Sequence, residues 1–81
     1  PIQRNAILAL AHYKDETAVD TLVELMEKDP RPVIRGTSAW ALGKIGGEKA
    51  IHTLMKEQMR EKDKDVADEI AKGLSMLENK A

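Results

Sequence analysis

Apolar residues recur along the chain at helical rather than strand spacing. Ile2, Ile7 and Leu10 follow it, Ile34, Ala41, Leu42 and Ile45 repeat it, and Ile51, Leu54, Met55 and Met59 resume it after a break. Such spacing marks one face of a helix turning about 100° per residue. Polar breaks punctuate the runs. Asp29-Pro30-Arg31-Pro32 ends one helix, because proline lacks an N–H and turns its predecessor away from the α region, and Pro32 then suits the first turn of the next. Gly46-Gly47 supplies a helix C-terminus, and Asp63-Lys64-Asp65 offers N-cap carboxylates. The pattern predicts five helices, over residues 2–13, 17–28, 32–45, 48–61 and 65–78.

These helices repeat. At an offset of 32 residues Ala9, Leu10, Glu16, Ala18, Thr21 and Leu22 meet Ala41, Leu42, Glu48, Ala50, Thr53 and Leu54 as identities. Val19 meets Ile51 and Val23 meets Met55 as apolar counterparts. A second step lays Ile34, Leu42 and Ile45 over Val66, Leu74 and Leu77. Self-similarity at fixed period is the mark of a solenoid. The expected fold is therefore all-α, an α-solenoid of about two and a half HEAT-like repeats built from antiparallel helix pairs. One helix pair cannot bury its own stripe, so neighbours complete a shared core. On the last helix Val66, Ile70, Leu74 and Leu77 form the stripe, while Asp68, Glu69, Lys72 and Glu78 give the polar remainder a terminal cap needs. Pro1 is not an initiator Met, and Ile2, Ile7 and Leu10 already follow the helical pattern, which reads as a single domain cut from the C-terminal part of a longer protein.

Composition narrows the chemistry. With no cysteine, the chain offers no disulfide and no thiolate for zinc or an iron–sulfur cluster. The longest uninterrupted apolar run, Ala6 to Ala11, is far below the ~20 residues of a membrane span, so a soluble, cytoplasmic setting is expected. The formal charge of −1 conceals a segregation: residues 28–62 carry a net +4 and the flanks −5.

Within the basic segment, Lys49, His52, Lys56 and Arg60 fall within about 80° of one another on the fourth helix. With Arg31 and Arg35 they can track phosphates, giving affinity without reading bases. Their counterparts in the preceding repeat are Thr17, Asp20, Glu24 and Lys28, so the fold does not require the stripe; a merely solvated face is the plain alternative. Arg35, in the first turn of its helix, has no favourable dipole there, and hydrogen bonding to loop carbonyls or to an acid of a neighbouring repeat competes with ligand contact. Trp40 shares a helix side with Val33, Thr37 and Lys44, roughly opposite Leu42, and reads as packing between repeats or as an interface anchor. His12 and His52 are solitary, and Asp63, Asp65 and Asp68 lack calcium-loop spacing, so no metal and no small-molecule ligand is expected. Met26, Met55, Met59 and Met76 fall at helical positions and read as core fillers.

The segment from Asp29 to Glu48, with Arg35-Gly36-Thr37-Ser38-Ala39-Trp40-Ala41-Leu42-Gly43 at its centre, resembles the short HEAT-like repeat named after phycobilisome lyases. More narrowly, it is similar to the C-terminal HEAT region of bacterial epoxyqueuosine reductases. That resemblance implies a parent enzyme of tRNA queuosine modification carrying cobalamin and two 4Fe–4S clusters in upstream domains. It implies no catalytic residue here, but a noncatalytic tail that assists binding of the tRNA anticodon stem-loop or braces the catalytic domain. A general protein-interaction scaffold is the alternative.

Overall fold

A computed structural model describes residues 3–78. Five α-helices follow one another, α1 (Arg4–His12), α2 (Val19–Lys28), α3 (Pro32–Ile45), α4 (Glu48–Arg60) and α5 (Lys64–Glu78), and a short 3-10 turn, Glu16–Ala18, leads into α2. Local chemistry explains each boundary. Gln3 is extended and its carbonyl receives the first amides of α1, so that helix begins later than the apolar spacing suggested; Ile2 lies outside the described residues. Asp15 accepts the Thr17 N–H at 3.0 Å and opens the 3-10 turn. Pro32 starts α3 where its missing N–H costs nothing. Gly46 and Gly47 take φ of 82° and 96°, a left-handed pair that reverses the chain between α3 and α4. Asp63 caps α5, accepting the amides of Asp65 and Val66 at 2.9 and 3.1 Å.

The helices form two layers. α3 packs between α1 and α5, while α2 and α4 lie side by side against the same central helix, within an envelope of 32 × 25 × 16 Å. Among the described residues there is no strand. The core joins Ile7 and Ala11 of α1, Leu22 and Met26 of α2, Ala39 and Leu42 of α3, Leu54 of α4, and Val66 and Ile70 of α5, all nearly or fully buried. Each repeat thus completes its neighbour's interior, as solenoid stacking requires. Small residues let the layers approach closely: a Cβ on Gly43 would sit 2.4 Å from the Gly73 Cα, so α3 and α5 cross almost backbone to backbone.

One expectation fails on α4. Met26 is fully buried and Met76 half-buried, yet Met55 and Met59 are 57% and 90% exposed, and Ile51 is 38% exposed. The helix buries Ala50, Thr53, Leu54 and Glu57 instead. Its inward direction lies toward α2, α3 and α5, and no helix among the described residues covers the side that carries 51, 55 and 59.

Candidate nucleic-acid interface

The site builds on α4. Lys49, Lys56 and Arg60 occupy the flank of α4 that borders α2, and His52 sits nearer its outward pole; all four are exposed. Glu48 in the first turn and Arg60 in the last both complement the helix dipole.

The structure assigns each of these lysines and arginines a carboxylate. Lys49 pairs with Asp20 and Lys56 with Glu27, both reaching across to α2, and Arg60 donates to Glu57 at 3.3 Å within its own helix. The Lys56 hydrogen bond is the chief reason that the Glu27 carboxyl lies below the usual carboxylate range. Asp20 and Glu27 are the residues that sequence reasoning missed. A signal for them existed: both pairs join residues 29 apart, one repeat less about one helical turn, so acids on α2 and bases on α4 recur at the spacing at which adjacent helices meet.

Arg35 belongs to a different arrangement. Its guanidinium donates to Glu61 Oε1 and Oε2 at 3.0 and 3.2 Å and to the Asp29 carbonyl at 3.0 Å. It fastens the loop before α3 to the end of α4, and only 19% of its side chain is exposed. Three of its N–H donors are thus engaged within the fold, by the kind of bonding to acid and carbonyl that the sequence set against ligand contact. Burial pushes the Glu61 carboxyl up, but the Arg35 hydrogen bonds and the Asp63 amide outweigh it and the net direction is down. Arg31 closes on its own loop, with Nε and Nη2 donating to Oδ1 and Oδ2 of Asp29 at 3.0 and 2.9 Å. Those bonds hold the Asp29 carboxyl at about 2.

Trp40 lies on the other layer. A groove of about 370 Å³ runs over α3 between α1 and α5, floored by Leu8, Val33, Gly36, Trp40 and Val66, with Arg4, Asp65 and Glu69 completing its charged lining. Trp40 is half-buried there, and Lys44 Nζ stands 5.7 Å from its ring centroid, a cation–π contact. Val33 beside it is 63% exposed. The structure thus separates the sequence candidates into three: the α4 face, the Arg31 and Arg35 loop clamps, and the Trp40 groove.

Chemically, the α4 face can hold a polyanion by exchanging carboxylate partners for phosphates. Among the described residues no three His, Cys, Asp or Glu side chains gather as a metal would need, and without cysteine the donor set does not fit an iron–sulfur cluster. No described helix is long and apolar enough to cross a membrane.

Helix pairs in two layers with a shared core define an α-solenoid module. The chain belongs to the HEAT-repeat family, which it matches over residues 1–79. It is similar to the epoxyqueuosine reductases of Bacillus subtilis, 60% identical over 95% of this chain and 20% of that protein, and of Bacillus anthracis, 54% identical over 99% and 21%. An uncharacterised protein of Geobacillus stearothermophilus is 56% identical over 95% of the chain and 36% of its own length. The chain thus spans about a fifth to a third of the relatives it matches. Among solved structures, an epoxyqueuosine reductase crystallised with an epoxyqueuosine-modified tRNA-Tyr stem loop superposes with a TM-score of 0.90 at 58% identity, covering 94% of this chain and 20% of that one.

Proposed function

We propose that the chain is the noncatalytic helical module of an epoxyqueuosine-reductase-type enzyme acting on tRNA in the cytoplasm, and that its α4 face contacts the RNA backbone. The observation that carries this is the superposition, at 58% identity, on an epoxyqueuosine reductase crystallised with a tRNA stem loop. Cobalamin and two 4Fe–4S clusters, which the resemblance implies for the parent, would be held by the rest of that polypeptide, since this chain has no cysteine.

The face suits a modest role. Lys49, Lys56 and Arg60 are already compensated by carboxylates, so a phosphate must displace an ion pair before it gains a contact, and for the exposed Lys49–Asp20 pair that costs only ~0–1 kcal/mol. The test is Lys56→Gln combined with Arg60→Gln in the full-length protein, neutral changes that avoid setting a new carboxylate against Glu27 and Glu57. Loss of two phosphate contacts should weaken RNA binding and flatten the slope of log affinity on log salt by about 1.5. The control Glu24→Lys, an exposed α2 position in register with Lys56, should not weaken binding. Unchanged affinity and slope in a folded double variant would leave the stripe a solvated surface.

A second role, bracing the remainder of the polypeptide, is favoured by the Trp40 groove, whose apolar floor and exposed Val33 fit a packed partner better than water.

A further inference from the structure

α1, α3 and α5 are the same helix in successive repeats, and the comparison isolates the floor of the Trp40 groove. Where α3 sets Val33, Gly36 and Trp40, α5 sets Asp65, Asp68 and Lys72 one repeat later, all three exposed. The α1 counterparts of Gly36 and Trp40 are Arg4 and Leu8. Only the central helix is free of charge along this line, and Val33 stays 63% exposed. Thr37, the polar side chain of the floor, donates its hydroxyl to the Val33 carbonyl at 2.7 Å. Gly36 adds a second observation. A Cβ there would meet Glu69 Cγ at 3.5 Å, ordinary contact distance, whereas one on Gly43 would strike Gly73 at 2.4 Å. The packing of α5 thus demands glycine at 43 but not at 36, although glycine inside a helix is the poorer former. Its missing methyl deepens the groove.

A further repeat does not cover this face. Repeats stack sideways, α5 beside α3 and α3 beside α1, so another would add a neighbour to a flank and leave the outer side open. Phosphates fit it poorly. The lining sets two carboxylates, Asp65 and Glu69, against one guanidinium, Arg4. Glu69 is bonded to Lys72 at 3.3 Å, whereas among the described residues neither Arg4 nor Asp65 is in an ion pair. An apolar floor with a free cation on the α1 bank and a free carboxylate on the α5 bank matches a polypeptide segment that carries both signs. Val33, Gly36, Thr37 and Trp40 fall at the i, i+3, i+4 and i+7 spacing by which one helix seats another, over a rise of about 10 Å, or two turns. The chain spans about a fifth of the epoxyqueuosine reductases to which it is similar, so the rest of such a polypeptide is held at high effective concentration beside the groove.

We propose that the groove over α3 receives an amphipathic helix from the remainder of the same polypeptide, its apolar side chains on Val33, Gly36 and Trp40, a base against Asp65 and an acid against Arg4; the proposal rests on the bracing reading. It is tested in the full-length protein with p-benzoylphenylalanine placed at the exposed Val33, irradiated, and mapped by mass spectrometry. The expected product is an intramolecular cross-link to a segment outside these 81 residues whose apolar residues recur three and four apart, with a base and an acid among them. Gly36→Ala should lower its yield severalfold by filling the floor, and Asp65→Lys should do so by charge. Glu24→Lys, the like change on the other layer, should leave it unchanged. If the cross-link lands in the polypeptide but on a segment without that pattern, or with a yield that neither Gly36→Ala nor Asp65→Lys alters, the bracing reading survives and the proposal falls. No cross-link, or one only to a second copy or to an added RNA stem-loop, overturns both. The sign of a further effect separates docking from a helix preference: in a filled groove Gly36→Ala lowers the melting temperature of the full-length protein, and a rise would mean that the groove is open and would overturn the proposal.

Discussion

Helices α2 and α4 share a register and several identical residues, yet they meet different surroundings. Leu22 and Leu54 are both fully buried, and Ala18 and Ala50 are buried as well. Thr21 is exposed, whereas Thr53, its counterpart, is 3% exposed. On the opposite flank the order reverses, with Val23 half-buried and Met55 open. A helix in a solenoid has one side set by its partner layer and two flanks set by the repeats before and after it. The shared inward side preserves Leu and Ala, and the flanks are free to diverge into packing on α2 and into a presented surface on α4.

The largest test of this equivalence is the inward position. Leu22→Ala and Leu54→Ala should each cost about 2–5 kcal/mol, since both remove a fully buried side chain from a small core. Urea denaturation monitored by circular dichroism measures both, and a cost for Leu54→Ala below 1 kcal/mol would break the equivalence of the two helices. The open flank should behave oppositely. Val23→Ser should cost about 1–2 kcal/mol through lost burial, while Met55→Ser should stay within about 0.5 kcal/mol because its side chain already meets water. Equal costs at 23 and 55 in the isolated 81-residue chain would mean that the α4 flank is covered there after all.

The smallest effect is electrostatic and falls in acid. Glu27, Glu61 and Asp29 have carboxyls held below their unfolded values of 4.5, 4.5 and 3.8 by Lys56, Arg35 and Arg31. A depressed folded value means that the stabilisation is present above the unfolded value and is lost as pH falls through the folded one. Thermal stability should therefore be flat from neutral pH to about 5 and decline below 4.5, with the Asp29 part persisting to about 2. Arg35→Gln should shrink the Glu61 share of that decline. An acid profile identical to wild type would show that the Arg35 clamp contributes nothing to folding.

The five helices were legible in the residues because their determinants are local: 3.6-residue periodicity, proline at 32, glycine at 46 and 47, and the Asp63 cap act within a few positions of themselves. The 32-residue register likewise exposed the stacking. It also showed that Lys49 and Lys56 were not demanded by the fold, since Thr17 and Glu24 stand at their places one repeat earlier, but it could not name their carboxylate partners, which lie one repeat less three residues away. Arg35 shows the same division, since its helix position was plain while Glu61 became its partner only when the end of α4 returned beside α3. Met55 and Met59 mark the sharpest boundary. An apolar residue at helical spacing declares which side of a helix it occupies, but burial requires a neighbour on that side, and only the stacking of α2, α3 and α5 around α4 decided which of its apolar positions would have one.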